Sequence, residues 1–222
     1  MWKKFIDTLK KKSLSEQIFE KSLDTIRLDK DMFMNAKYAL RNHGNLDLAK
    51  KVLEEDKRIN KSERSVRRKL LTHFALTDKI EIGSGFTMSS IVIDIERIGD
   101  QAKNIADLAL LMDDNFSSGP YDNRVKVIEK QIEELFDKTL LAFENSDEEA
   151  AREVINTYKD KISGECSAIK DSLVKEAETI GNGNAVAVAL YLRYLKRTAA
   201  HLYNISTSVL NPFPRIGYKE KN

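Results

Sequence analysis

The sequence predicts an all-α protein built from two tandem three-helix bundles. Apolar residues recur with a helical period of about 3.6 residues through six long segments. The 222 residues include only 3 prolines and 9 glycines, and Pro212 and Pro214 both lie near the C-terminus, so the predicted helices lack helix breakers. One polar loop, residues 113–122, divides the helices into two groups of three, which favours two antiparallel bundles packed side by side.

The first half of the chain predicts three helices, over about residues 14–41, 46–76 and 86–112. In each of them the apolar residues follow one face, as expected for a helix that buries one side. Asn42 and Gly44 are residue types typical of helix C-termini, so they separate the first helix from the second.

The second half predicts three further helices, over about residues 123–143, 147–180 and 185–210. Ser146, followed three residues later by Glu149, has the pattern of a capping box and predicts the start of the fifth helix. The two halves therefore contain helices of comparable lengths in the same order.

The predicted organisation has four parts. Residues 14–114 form the first three-helix repeat and residues 122–211 the second, with an N-terminal amphipathic segment at 1–13 and a C-terminal tail at 212–222. Two stretches that lie 100 residues apart, IERIGDQAKNI and LKRTAAHLYNI, share an arginine, an asparagine and an isoleucine at matching places. This similarity indicates a duplicated repeat.

Composition excludes several classes of function. The 37 basic and 35 acidic residues nearly cancel, and the basic run at 64–69 belongs to no recognisable nucleic-acid-binding module. Cys166 is the single cysteine, which excludes a disulfide framework and fits a reducing cytoplasm. No apolar run reaches the roughly 18–20 residues of a membrane-spanning helix, and the N-terminus lacks the features of a secretory signal.

Two pairs of polar residues have the spacing of one helix face. Glu96 and Asp100 are four residues apart, as are Asp56 and Asn60 on the preceding helix. The short connection between these helices predicts antiparallel packing, which would let the two pairs face each other. Oxygen ligands on facing helices are how helical bundles bind hard metal ions. Gly99 would then allow a neighbouring helix or a metal cluster to approach closely.

The same spacing has a simpler explanation. With 35 acidic residues on long helices, acids four residues apart arise by chance, and most of them face solvent or pair with basic residues. Arg97 and Lys103 are close enough in the sequence to serve as such partners. Spacing alone therefore leaves a metal site and an ion-paired helix face as alternatives.

On these residues the chain resembles the PhoU family of phosphate-signalling proteins. In that family an E-R-x-G-D stretch opens the third helix of each repeat, and D-x-x-I-N or D-x-x-I-D lies on the helix before it. Here the stretches read IERIGDQAKNIA, which contains Glu96 and Asp100, and DKRIN, from Asp56 to Asn60. The resemblance covers essentially residues 14–210.

The resemblance implies a cytoplasmic adaptor that is not an enzyme. It would act between a phosphate transporter and a sensor kinase that controls phosphate-starvation genes, or on phosphate uptake, and it would form a homodimer. It also implies iron, zinc or another metal ion in the first repeat. The implied ligands are Asp56, Asn60, Glu96 and Asp100. Glu63 would be a further ligand or a residue that contacts the ligands without binding the metal.

The second repeat departs from the family pattern. Lys196 takes the place of the glutamate and Ala200 that of the aspartate, and Tyr158 or Lys159 falls near the expected aspartate of the preceding helix. Because an ammonium group would stand where the metal ion sits, we predict that the second metal site is lost. His201 is expected to be a packed or hydrogen-bonded helix residue.

The segment MWKKFIDTLKKK predicts a short amphipathic helix at the N-terminus. Trp2, Phe5, Ile6 and Leu9 share one face, and lysines occupy the others. Such a helix is typical of contact with an anionic membrane surface or a membrane-protein partner. The alternative is a helix that packs on its own bundle or on a second subunit.

Three other functions compete with the adaptor. A phosphate-permease accessory protein and a metal-free helical interaction module are both consistent with the same helices. A carboxylate-bridged di-metal enzyme is least favoured, because such enzymes carry Glu-x-x-His pairs. Residues 40, 70 and 198, three positions before His43, His73 and His201, are not glutamates.

Overall fold

A computed structural model of the protein describes residues 13–76, 82–175 and 181–220. Within these ranges the chain is almost entirely helical and contains no strand. The long helices are α1 (Leu14–Arg41), α2 (Leu46–Leu76), α3 (Ile82–Leu111), α4 (Asp122–Asn145), α5 (Glu148–Thr157 and Ser163–Lys175, joined by the π-helical turn Tyr158–Ile162) and α6 (Asn182–Leu210). The predicted all-α class with two three-helix repeats is confirmed.

Local sequence signals explain where α1 begins and ends. Ser13 and Glu16 form a capping box, in which the Ser13 hydroxyl accepts from the Glu16 amide at 3.2 Å and the Glu16 carboxylate accepts from the Ser13 amide at 2.8 Å. At the other end, the Asn42 amide donates to the Tyr38 carbonyl at 3.0 Å. Helix α1 therefore has partners for backbone groups that helix ends leave unpaired.

The turn between α4 and α5 differs from its prediction. Ser146 ends α4 in a left-handed conformation, with φ of 55°, and does not cap the next helix. Asp147 is the N-cap of α5, because its carboxylate accepts from the Ala150 amide at 3.0 Å. The predicted capping box of Ser146 and Glu149 is therefore wrong by one residue.

The two repeats share one hydrophobic core. The third helix of each repeat, α3 and α6, packs against the other at its centre, and α1 and α2 complete the first bundle while α4 and α5 complete the second. Ile98, Ile105, Leu195 and Leu202 are all fully buried there. The candidate metal ligands of α3 thus belong to a helix that is held from both sides.

A ladder of ion pairs joins the first helices of the two repeats. On α1 and α4, Arg27 pairs with Glu144 at 2.9 Å, and Lys30 with Asp137 at 2.5 Å. Lys37 contacts Glu133 in the same ladder. Because the α1 partners ascend in number while the α4 partners descend, the two helices run antiparallel.

The C-terminal residues fold back onto α6. The Tyr203 hydroxyl donates to the Gly217 carbonyl at 3.1 Å, and the Gly217 amide donates to the Thr207 hydroxyl at 2.8 Å. The Phe213 ring packs on Phe86 of α3, with ring centroids 5.4 Å apart. The described part of the tail is therefore attached to both third helices.

None of the described helices combines the length and the apolar character that crossing a bilayer requires. The predicted amphipathic segment with Trp2, Phe5, Ile6 and Leu9 lies outside the described residues. Its contact with a membrane or partner stays a prediction.

Candidate functional site

Helices α2 and α3 bring the predicted metal ligands into one electrostatic cluster. Asp56 of α2 is buried, and one of its carboxylate oxygens accepts a hydrogen bond from the Asn60 amide at 2.9 Å. Lys103 of α3 lies 3.5 Å from the same oxygen and remains partly exposed. Of Arg97 and Lys103, the two basic residues that the sequence offered as partners, Lys103 is therefore the one that neutralises Asp56.

Glu96 and Asp100 lie half-buried on the face of α3 that carries this cluster. Burial raises the pKa of Glu96, and the negative charges of Asp100, Glu63 and Asp56 raise it further, while Arg97 opposes them. Burial likewise raises the pKa of Asp100, together with the charge of Asp56. The carboxylates of the two helices thus repel one another, and the cluster favours an added positive charge.

Glu63 has a counter-ion of its own. Its carboxylate lies 2.8 Å from the Arg67 guanidinium, one turn along α2, and Arg67 is half exposed. Glu63 still acts on the pKa of Glu96, so it belongs to the same cluster. A role as a further ligand would require it to leave Arg67.

Asp29 of α1 is a member of the site that sequence reasoning missed. Its side chain is fully buried, and neither carboxylate oxygen has a hydrogen-bond partner among the described residues. Burial, followed by the charges of Glu96 and Asp56, raises its pKa well above the usual value. The signal was present in the sequence, because Asp29 interrupts the apolar stripe between Ile26 and Met32.

Gly99 allows three helices to meet at this point. A Cβ atom at Gly99 would lie 3.0 Å from an oxygen of Asp29 and 3.1 Å from a methyl carbon of Ile59. Glycine therefore lets α1 and α2 approach α3 closely, which was one of the two uses expected from the sequence.

The residue types of the cluster fit a hard metal ion. Carboxylates and a carboxamide are the oxygen ligands that such ions prefer, and the unpaired buried Asp29 lies beside them. In the described part of the chain, however, no three acidic, histidine or cysteine side chains are arranged to hold a metal ion. Metal binding would therefore require rotation of these side chains, and the ligand set stays a prediction.

The matching positions of the second repeat carry no carboxylate. The Lys196 ammonium donates to the Ser167 hydroxyl at 2.8 Å, and Ala200 offers no ligand atom. His201 is buried, and its Nδ1 lies 2.7 Å from an Asp94 oxygen of α3. His201 is thus a hydrogen-bonded helix residue, as expected, while the loss of the second metal site remains a prediction.

A second buried polar cluster, also missed from sequence, lies where α1, α4 and α6 meet. The Arg41 guanidinium donates twice to one Glu129 oxygen, at 3.0 and 2.8 Å, and also contacts Asp122. The Tyr191 hydroxyl donates to the same Glu129 oxygen at 2.7 Å. Because these partners are far apart in the chain, no local pattern could have revealed the cluster.

Comparisons with known proteins agree on one family. The family model described as the PhoU domain matches residues 12–109 and 125–209. The chain is 28% identical over 142 residues to the phosphate-specific transport system accessory protein PhoU homolog of Aquifex aeolicus (strain VF5). That match spans 63% of this chain and 63% of the relative's length.

Two solved structures are similar to the whole fold. The crystal structure of PhoU from Pseudomonas aeruginosa has a TM-score of 0.81 and 25% sequence identity, and the match covers 89% of this chain and 95% of that one. The phosphate transport system regulatory protein PhoU from Streptococcus pneumoniae has a TM-score of 0.73 at 17% identity, with the same two coverages. The second likeness supports the fold alone.

Proposed function

The chain belongs to the PhoU family, and on that premise we propose that it regulates phosphate transport as an adaptor without catalysis. The observation that carries the proposal is the match of both helical repeats to the PhoU domain. The relative from Aquifex aeolicus is described as an accessory protein of a phosphate-specific transport system. The proposed role is to couple a phosphate transporter to phosphate-starvation signalling through a sensor kinase.

The proposed site of regulation is the carboxylate cluster of the first repeat. Asp56, Asn60, Glu96 and Asp100 would hold iron, zinc or another metal ion, with Glu63 beside them. A bound ion would supply positive charge that offsets the repulsion between these carboxylates. The chain itself supplies the oxygen ligands and the close approach of three helices at Gly99.

The adaptor is proposed to work in the cytoplasm as a homodimer, peripheral to the inner face of the membrane. An adaptor acts by binding its partners and needs no catalytic residues. Its partners would therefore bind to the surfaces of its helices. The N-terminal segment, residues 1–13, is the proposed contact with the membrane or a membrane protein, on the basis of its amphipathic sequence.

A metal-free helical module is the second candidate, and one contact favours it. Lys103 already neutralises Asp56 at 3.5 Å, so part of the cluster has a counter-ion within the chain. A phosphate-permease accessory protein would use the same fold and differs only in its partner. The di-metal enzyme remains the least favoured alternative.

Complementation tests the proposed function directly. The chain would be expressed in a bacterium whose own PhoU gene is deleted, and uptake of labelled phosphate and a phosphate-starvation reporter would be measured in phosphate-rich medium. We expect the chain to restore repression of the reporter, and Glu96→Ala/Asp100→Ala to reduce this effect. A folded, well-expressed chain that leaves both readouts unchanged would contradict the proposal.

A matched control separates the cluster from a general loss of acidic charge. Glu149→Ala/Glu153→Ala removes two exposed acids with the same spacing from α5, outside the cluster. We expect this variant to behave like the wild type. Equal regulation by both double variants would favour the metal-free module.

A further inference from the structure

A groove between α5 and α6 lies where the second repeat carries no carboxylates at the matching positions. Its volume is about 670 Å³, which is within the range of small-molecule sites. Lys196 and Ala200 line it, the residues that stand where the family pattern has glutamate and aspartate. The groove is thus the counterpart, in the second repeat, of the carboxylate cluster on α2 and α3.

The charge of the groove is opposite to that of the first-repeat cluster. Lys170, Arg193, Lys196 and Arg197 line it, and none of the described residues that line it is acidic. In the part of the chain that the structure describes, Arg193 and Arg197 form no ion pair or hydrogen bond through their side chains. Lys196 donates to the neutral hydroxyl of Ser167 and forms no ion pair with another described residue.

The two described acids of α5 near the groove each have a basic partner. Glu165 is turned away to Arg124, whose guanidinium lies 2.5 Å from its carboxylate. Asp171 pairs with Lys170 at 2.9 Å, and both side chains are more than half exposed. Among the described residues, three of the four cations therefore have no ion-pair partner. Two of these three are arginines, which suit bidentate contact with phosphate or carboxylate.

The rest of the groove is apolar. Cys166 and Leu192 are buried at its floor, and Val186 and Leu190 line it with 61% and 36% of their surface exposed. Exposed aliphatic side chains beside unpaired cations suit a ligand that has both an anionic group and an apolar body. An inorganic ion would leave these apolar side chains in water.

A π-helical turn shapes one end of the groove. Tyr158, its first residue, lines the groove, and the ring also packs on Tyr203 with centroids 5.0 Å apart. Lys159 instead lies over the Tyr203 ring, 5.1 Å from its centre. Single π-helical turns inside α-helices are frequent at functional sites.

We propose that the groove between α5 and α6 binds a small organic anion, a phosphate or carboxylate joined to an apolar group. Arg193, Lys196 and Arg197 bind the anionic group, and Val186 and Leu190 pack on the apolar part. The first repeat would then bind a cation, and the second repeat would bind an anion at the equivalent place. This assignment depends on the groove alone and is independent of the proposed regulatory function.

Titration calorimetry with 1-naphthyl phosphate tests the proposal on the full-length chain. We expect one binding site per chain, with affinity at least about tenfold higher than for inorganic phosphate and for neutral 1-naphthol. If inorganic phosphate bound as tightly as 1-naphthyl phosphate, the proposed contact with an apolar group would be wrong. If 1-naphthol bound as tightly, the proposed contact with an anionic group would be wrong. Absence of any binding would overturn the whole.

Two double variants locate the site. Arg193→Ala/Arg197→Ala removes two exposed arginines of the groove, and Arg64→Ala/Arg68→Ala removes two exposed arginines with the same spacing from α2. We expect the first variant to bind 1-naphthyl phosphate at least about tenfold more weakly, and the second to match the wild type. Equal affinity of the two variants would overturn the assignment, once circular dichroism shows that both are folded.

Discussion

Asp94 of α3 and His201 of α6 join the two repeats through a buried hydrogen bond of 2.7 Å between a carboxylate oxygen and Nδ1. Asn204, one turn further along α6, donates to the same oxygen at 2.9 Å. His201 also lies near enough to Asp100 to act on its pKa, although burial is the largest influence there. The interface between the repeats thus reaches the candidate metal cluster.

Removal of the Asp94 carboxylate should weaken the whole fold. In Asp94→Ala, His201 and Asn204 lose a shared buried acceptor, which we expect to lower the free energy of unfolding by about 1–3 kcal/mol. Urea denaturation measures this change. Asp107→Ala, on the same helix but with a partly exposed side chain, is the control and should change stability by less than about 0.5 kcal/mol. Equal losses would show that the interface bond contributes nothing specific.

Among the basic residues between the two repeats, removal of Arg41 should lower the free energy of unfolding most. Arg41→Ala leaves Glu129 buried without its guanidinium partner, so we expect a loss of about 3–5 kcal/mol in the free energy of unfolding. Lys126→Ala removes an exposed partner of Asp122 and should cost less than about 1 kcal/mol. The comparison is made by urea denaturation at neutral pH, and an Arg41 effect as small as that of Lys126 would contradict the prediction.

Substitution of two helical glycines by alanine should have opposite effects. At Gly99 an added Cβ would press on buried Asp29 and Ile59, and we expect a net loss of about 1–3 kcal/mol. At Gly164, in α5, nothing lies within 4 Å of the added Cβ, so alanine should stabilise by about 0.5–1 kcal/mol through its helix propensity. Thermal denaturation of the two variants shows whether each substitution raises or lowers stability. Stabilisation by Gly99→Ala would show that the three helices can move apart.

Asp29 should make stability depend on pH. Because its folded-state pKa is raised, the wild type is least stable above that pKa and gains stability as pH falls towards the unfolded value of about 3.9. Asp29→Asn removes the charge, so in metal-free protein it should be more stable than the wild type at about pH 8. The difference should shrink at about pH 5. A difference that does not change between these two pH values, measured by urea denaturation, would contradict a raised pKa.

Local sequence patterns predicted most of the fold. The helical periodicity and the scarcity of proline predicted the six helices. Both ends of α1 and the start of α2 agree with the predicted residues 14, 41 and 46. The start of α5 was misplaced because Ser146 and Asp147 are both favourable capping residues, and only the left-handed backbone at Ser146 decides between them. The π-helical turn at Tyr158 had no signal in the periodicity, so the register of α5 stayed ambiguous.

The candidate site was predicted less completely than the fold. Helical spacing paired Glu96 with Asp100 and Asp56 with Asn60, because residues four apart share a face. The predicted antiparallel packing of the two helices then brought the pairs together. Asp29 was missed, since its role depends on α1 packing against Gly99, a contact between residues 70 positions apart in the chain. Such tertiary contacts do not follow from the period of a single helix.

Metal content of the purified chain tests the central claim most directly. The protein would be prepared without a metal-affinity tag and analysed by plasma mass spectrometry, beside Glu96→Ala/Asp100→Ala and the control Glu149→Ala/Glu153→Ala. We predict iron, zinc or another metal in the wild type and the control, and its loss from the Glu96 and Asp100 variant. Absence of metal from all three proteins after reconstitution, or equal metal in all three, would contradict a metal site formed by the α2 and α3 carboxylates.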